Sequence, residues 1–408
     1  MSLIRSGSVL SEVLESALPA LAPYEGMTPE ALRAGVEAGT LCLLATPAHA
    51  GARPTLIGRP GRVKVNANIG TSPLASDLAG EIDKLRVAEG AGADTVMDLS
   101  TAGNLDELRR EMLAATVLPL GTVPIYALAQ QRMREDRDPA DFEPADLLAE
   151  IEKQARQGVD FMTVHCGLTR RGAELARDGS RELGIVSRGG AILARWMRGR
   201  AEENPLLTHY DAILDIARAH NVVLSLGDGL RPGAGADAGD PAQWEEVLTL
   251  GVLARRARAA GVQAMIEGPG HVPLHLVRSQ IEGIKRATFG APLYVLGPLV
   301  TDCAAGRDHL AGAIGGALAV LAGADFLCYL TPAEHLCLPD ASDVREGVLA
   351  SRIAAQAAEA SLGRPWAVER ERGMSKARQA LDWEGMARAA LDPCLVRARS
   401  RGTEHGKE

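Results

Sequence analysis

The chain has 408 residues, 46% of them hydrophobic, and its 44 basic and 52 acidic side chains leave a net charge of −8 with no long run of one sign. That length can bury one large core with terminal additions, and the charge balance offers no electrostatic footprint for nucleic acid. The opening segment, MSLIRSGSVLSEVLESALPALAPYEG, puts Glu12 and Glu15 where a signal peptide needs an apolar heart, and the most apolar run, Leu310 to Ala324, is shorter than a bilayer span. Neither export nor a membrane partner is expected, and the location expected is cytoplasmic.

Residues 1–60 contain two helical stretches and the Pro/Gly-rich passage TPAHAGARP, which predicts an N-terminal helical lid or brace. From there to about residue 340, short β-rich runs alternate with longer segments of helical periodicity, the signature of βαβ units. Eight such runs are expected, near Lys64–Ile69, Asp94–Leu99, Leu120–Ile125, Asp160–His165, Val222–Leu226, Gln263–Glu267, Leu293–Gly297 and Asp325–Leu330. Turns such as GAGAD, QGVD and AGAD repeat the order helix end, glycine, strand. The fold class predicted is α/β: a parallel (βα)8 barrel over residues 61–340, with C-terminal helices over 341–395 and a disordered tail over 396–408. The apolar run 310–324 is read as a buried barrel helix. An open doubly wound sheet is the rival; it calls for an early GxGxxG or GxxxxGKS loop, and neither occurs.

Nearly every expected strand ends on a polar residue, where barrel enzymes build their sites. The first strand offers Asn66 and Asn68, the second Asp98 and Ser100, the third Tyr126 and the fourth His165. The later strands lead into GDGLRPG, EGPGHVPLH, GPLVTDCAAGRDH and YLTPAEHLCLP. Ser187, Arg188, Gly189 and Gly190 form a candidate phosphate cradle, because small residues let N–H groups converge on an anion while arginine adds a charged fork. Asp228 and Arg231 fit contacts to ribose or phosphate, or simply a capped turn. Glu267 is a strand-terminal carboxylate suited to general base work or to accepting a hydroxyl.

His271 and His335 are candidate metal ligands on loops of one barrel face, although a lone histidine is more often a hydrogen-bonded structural residue. His271 and His275 have i,i+4 spacing, but Pro273 lies between them and argues against a helical clamp. Asp302 and His309 are candidate supports for the ligands, or caps. The six cysteines show no CxxC. Cys42 and Cys328 sit in apolar runs and read as structural, whereas Cys166, Cys303 and Cys337 follow expected strands.

The motifs KVNANIG, ADTVMDLST, GTVPIY, VSRGG, LGDGLRP, IEGPGHVP, LGPLVTD and YLTPAEHL, in this order from about Arg62 to beyond Trp383, resemble the phosphomethylpyrimidine synthases of thiamine biosynthesis. The resemblance implies a homodimeric radical S-adenosylmethionine carbon–carbon lyase that converts 5-aminoimidazole ribotide to hydroxymethylpyrimidine phosphate. Carried over by position, it implies ribotide contacts from Asn68, Met97, Tyr126, His165, Ser187, Arg188, Gly189, Asp228, Gly229, Leu230, Arg231, Glu267 and Tyr294. It also implies a mononuclear divalent metal, zinc or iron, on His271 and His335. Pattern alone would place Met97 and Tyr294 in the core.

The sequence departs from the family at the iron–sulphur cluster. Members carry CxxCxxxxC; here the residues after Trp383 and Leu391–Pro393 read CLVRARSRGTEHGKE, with Cys394 alone. Three readings stay open: a synthase whose cluster uses other thiols, such as Cys166, Cys303 and Cys337; a cluster-less, metal-dependent enzyme doing non-radical chemistry on an imidazole ribotide; and a ribotide-binding protein without turnover.

Overall fold

The computed structural model describes residues 2–74 and 77–400. After helices α1 (Val9–Glu25) and α2 (Pro29–Ala38), strands β1 (Cys42–Leu44) and β2 (Thr55–Ile57) pair antiparallel. Eight parallel strands then close a barrel: β3 (Lys64–Ile69), β4 (Thr95–Asp98), β5 (Leu120–Thr122), β6 (Phe161–Val164), β7 (Val223–Leu226), β8 (Ala264–Gly268), β9 (Leu293–Leu296) and β10 (Phe326–Cys328). Strand β10 pairs with both β9 and β3, which completes the ring.

The crossovers are α3 (Leu78–Ala91), α4 (Leu105–Ala115), α5 (Pro124–Arg134) and α6 (Pro144–Gln157), then α7 (Arg170–Leu175), α8 (Arg188–Arg200), α9 (Pro205–Thr208) and α10 (Tyr210–His220) in the long β6–β7 interval. They continue as α11 (Pro241–Ala260), α12 (Val277–Ala287) and α13 (Asp308–Ala322). Helix α14 (Ala341–Ser361) packs against α13 and α3 and closes the outer ring. It is followed by α15 (Pro365–Gln379), α16 (Trp383–Ala389) and α17 (Pro393–Ser400).

All eight expected strands form, with ends shifted by a few residues. The largest shift is in β5, which stops at Thr122 because Pro124 has no N–H to give a ladder and instead fills the first turn of α5. Tyr126 is therefore a helix residue, not a strand end. Register sets the barrel interior. Phe161 and Phe326 meet edge to face at 6.5 Å, and Tyr294 stacks on Phe326 at 4.3 Å. Opposite them β5 must be thin: a Cβ on Gly121 would stand 2.2 Å from the Phe161 ring.

The N-terminal segment is a brace at the amino ends of the barrel strands, not a lid over the mouth. Residues immediately preceding the strands hold it. Gln263 Oε1 accepts Leu43 N–H at 2.7 Å, and Asp160 accepts Thr46 N–H at 3.0 Å, Leu120 N–H at 2.9 Å and the His49 ring at 2.7 Å. Arg59 and Lys285 meet Asp325 in the same way. Lys64, buried at the base of β3, is paired with buried Glu25 of α1 at 2.9 Å.

Two expectations change. Helix α13 belongs to the barrel, but one of its faces is open: Leu310, Ile314 and Leu321 are 51%, 55% and 42% exposed. The tail expected to be disordered begins helical, since α17 runs to Ser400; the rest of it, residues 401–408, lies outside the described residues. Among the described residues no helix is long and apolar enough to cross a membrane.

Candidate functional site

At the carboxyl ends of the strands lies a cleft of about 500 Å³, open space at its mouth included, lined on one side by Asn68, Met97, Tyr126 and His165. Asp228, Arg231, Glu267, Tyr294 and Cys328 line the other side. Eight of the thirteen residues expected to touch a ribotide therefore meet in one cavity.

Alternation along the strands explains the polar floor, because residues two apart point the same way. Thr163 of β6 and Ser225 of β7 are register partners, so their hydroxyls stand side by side. Both donate to Glu267 Oε1, at 2.7 and 2.8 Å, leaving the second carboxylate oxygen for the cavity. On the other wall Asn66 donates to Asn68 Oδ1 at 2.7 Å and to the Tyr294 hydroxyl at 2.8 Å, while Thr95 donates to Asn66 Oδ1 at 2.7 Å. Asn68 in turn donates to Cys328 Sγ at 3.0 Å.

Ser187, Arg188 and Gly189 lie outside the cavity lining, the first and third buried and Arg188 exposed. Ser187 is the N-cap of α8 and accepts the Gly190 N–H at 3.2 Å, so the segment read as a cradle is a helix N-terminus, where free N–H groups and the helix dipole favour an anion. Arg188 lies over the Tyr126 ring at 5.4 Å. His165 fills the space behind: its Nε2 is 3.2 Å from Ser187 Oγ, and a Cβ on Gly189 would sit 2.4 Å from the imidazole. Burial, reinforced by the nearby Arg231, pushes the His165 pKa down to about 3, so the ring is neutral and its buried Nδ1 has no partner. Gly190 is equally obligatory, because a Cβ there would meet the Gly229 carbonyl at 2.4 Å.

Asp228 and Arg231 face each other at 3.3 Å. Burial raises the Asp228 carboxyl well above its usual range although Arg231 pulls it back, and its Oδ2 is buried without a partner. Burial raises the Tyr126 and Tyr294 hydroxyls too. Gly229 and Leu230 do not line the cavity, and the Leu230 side chain is core.

His271 and His335 do come together, with ring centroids 5.3 Å apart. His271 Nδ1 is 2.7 Å from Asp302 and His335 Nδ1 is 2.9 Å from Asp308, which fixes both rings and leaves both Nε2 atoms for a ligand. Carboxylate support of this kind typifies metal-binding histidines. Asp302 is thus the partner of His271, whereas the partner of His335 is Asp308 and not His309. His275 is exposed on a turn and stays out. Among the described residues no group of three or more His, Cys, Asp or Glu is placed to hold a metal, so two histidines would leave the remaining positions to water or substrate.

Of the two cysteines read as structural, Cys42 is buried in the core and Cys328 is not merely packing. Cys328, read as structural, lines the cavity with its thiol pushed up to about 12 by burial. Cys166 is fully buried with its thiol raised further, and Cys303, Cys337 and Cys394 are exposed. No three thiols gather among the described residues, so these side chains do not fit an iron–sulphur cluster. Asp98 and Ser100 brace a loop: Asp98 accepts the Ser100 N–H and Ser100 Oγ accepts the Thr71 N–H, each at 2.9 Å. The residues missed were Thr163, Ser225 and Cys328. Each is polar or a thiol on the inward register of a fully buried strand, a signal that attention to strand ends passes over.

Residues 7–408 match the model of the Radical SAM ThiC family. A phosphomethylpyrimidine synthase of Geobacter metallireducens is 49% identical over 406 residues, covering 98% of this chain and 92% of its own. That of Moorella thermoacetica is 52% identical over 385 residues, 94% of this chain and 89% of its own, and that of Methanopyrus kandleri 50% over 377 residues, 91% and 87%. Among solved structures, a dihydropteroate synthase of Coxiella burnetii with pteroic acid shares 14% identity over 74% of this chain and 94% of its own at a TM-score of 0.43.

Proposed function

The chain belongs to the Radical SAM ThiC family, and from that premise we propose that it binds 5-aminoimidazole ribotide and a divalent metal and acts as a carbon–carbon lyase in making the pyrimidine of thiamine. The observation that supports this reading is the cavity itself, in which Arg231 and Asp228 line the same space as Glu267, a carboxylate held by two hydroxyls. The α8 N-terminus and Arg188 take the phosphate. Asp228 and Arg231 take the ribose and its phosphate edge, and Tyr126 and Met97 close over the heterocycle. Glu267, held through one oxygen by Thr163 and Ser225, keeps the other free to accept a proton from bound ligand. His165, neutral, donates or accepts a hydrogen bond without adding charge beside Arg231.

A zinc or iron ion would sit on His271 and His335, where it would act as a Lewis acid on a ligand oxygen or nitrogen. We further propose a homodimer located in the cytoplasm. S-adenosylmethionine is the co-substrate that the family implies. The described thiols do not fit a cluster.

The test is anaerobic reconstitution with iron and sulphide, followed by aminoimidazole ribotide, S-adenosylmethionine and reductant. Mass spectrometry is then used to look for 5′-deoxyadenosine and hydroxymethylpyrimidine phosphate. Formation of both supports the synthase. Ribotide binding with metal but neither product favours a second reading, a metal-dependent enzyme doing non-radical chemistry on the same ligand.

A further inference from the structure

Two loops flank the cavity: residues 187–190 at the start of α8, and residues 228–231 after β7. A second set of side chains, none of which lines the cavity, ties the segment leading into the first loop, residues 181–184, to the second loop at Leu230. Arg181 lies six residues before Ser187 and its side chain is 1% exposed. It donates Nη2 to the Leu230 carbonyl at 2.6 Å and Nη1 to the carbonyls of Gly184 at 3.0 Å and Arg231 at 3.4 Å. Its remaining bonds go to Asp240, at 2.6 and 2.8 Å. From the opposite side, buried Glu246 accepts the Leu230 N–H on Oε2 at 2.6 Å.

Both backbone groups of Leu230 are therefore gripped by anchors on one helix, because Asp240 is the N-cap of α11 and Glu246 lies in its second turn. The arrangement is costly. Arg181 and Glu246 are both removed from water, and Glu246 Oε1 has no partner at all. A fold brace alone would not need to join these two loops. The join leaves no slack either, since Gly190 is packed directly on the Gly229 carbonyl. Convergent anion contacts lose strength steeply when their donors move apart by an ångström.

We propose that Arg181 and Glu246 are positioning residues that fix the distance between the α8 cradle and the Asp228–Arg231 loop, and so set the pocket's preference for a phosphorylated over an unphosphorylated ligand. This rests on the ribotide reading above. Neither residue touches the ligand; each acts through the Leu230 backbone.

The test titrates the full chain calorimetrically with aminoimidazole ribotide and with the corresponding riboside, which lacks the phosphate. The unsubstituted protein is expected to prefer the ribotide by about a hundredfold or more. In Arg181→Lys, whose ammonium cannot reproduce the fork, and in Glu246→Leu, which removes the acceptor, ribotide affinity should fall about tenfold or more. Riboside affinity should change by less than about threefold in both, because the fold persists. Glu246→Gln keeps an acceptor for the Leu230 N–H and should recover the preference to within about threefold.

An equal loss for both ligands, or an unchanged ratio, overturns the proposal, because that is what a merely loosened fold gives. Thermal melts accompany each titration; if the Arg181 variant does not fold, the contrast between Glu246→Leu and Glu246→Gln decides alone. Absence of any ribotide preference in the unsubstituted protein overturns the pocket reading and this proposal with it, and is recognised before any substitution is made.

Discussion

At the scale of single residues, the site depends on side chains that leave no room for alternatives. Gly189 is the sharpest case, since any Cβ collides with the His165 ring. Gly189→Ala should displace the imidazole from Ser187 and weaken ribotide binding by about tenfold or more, measured by calorimetric titration. Arg188→Ala removes a charge-assisted contact, and a comparable loss for the ribotide with little change for the riboside is expected. The two histidines form a unit with their carboxylates. His271→Ala and His335→Ala should each remove most bound metal, and Asp302→Asn and Asp308→Asn should weaken metal binding about ten- to a hundredfold by freeing the rings. Elemental analysis after dialysis checks this; stoichiometric metal in both histidine variants refutes the metal site.

Much of this was legible, because glycine-rich turns and strand-end acids announce themselves in the sequence. Asp308 was not, since it stands beside His309 and only the geometry of α13 decides which neighbour reaches His335. Nor was Cys328: a thiol in an apolar run looks like packing until register turns it toward Asn68.

At the scale of elements, the eight strands could be read because each is a short buried run preceded by a turn. The residue just before a strand proved as informative as the one after it. Asp160, Gln263 and Asp325 lie at the amino ends and hold the brace, a role that strand-end reasoning directed at the mouth does not see. The β1–β2 hairpin went unread because three-residue strands carry too little periodicity.

The hold on the brace depends on pH. His49 gives Nδ1 to Asp160 and Nε2 to the Leu113 carbonyl at 3.1 Å, so both nitrogens find acceptors and the charged form is favoured. Burial alone would lower the His49 pKa, but Asp160 more than offsets it and the pKa is raised in the folded chain. A raised folded pKa means stabilisation that is complete below the unfolded value of about 6.5 and is lost as pH rises through the folded value. His49→Gln should therefore destabilise the protein more at pH 6 than at pH 9, and denaturant melts of both proteins across that range are the check. A difference in stability that does not vary with pH would show that the ring acts only by shape.

At the scale of the whole molecule, the barrel buries its core and still leaves an apolar face of α13 uncovered. Leu310, Ile314 and Leu321 fall on one side of α13 with the half-buried Ala317 and Leu318 between them, and no charged residue occurs on this helix beyond Asp308. Such a stripe is unusual on a monomer and suits a second copy of the chain. Another exposed pair, Leu248 and Val252 on α11, is followed on the same side by Arg255 and Arg256, which makes it the poorer interface. The proposed homodimer is therefore placed on α13. Ile314→Glu would bury a carboxylate at the centre of the contact and should weaken association by about a hundredfold, whereas Leu248→Glu should not change it. Sedimentation velocity over a concentration series separates these outcomes: a monomer already in the unsubstituted protein refutes the dimer, and dissociation by Leu248→Glu alone moves the interface to α11. The cavity opens at the barrel mouth and α13 runs along its wall, so loss of the dimer should leave ribotide affinity within about threefold of the original.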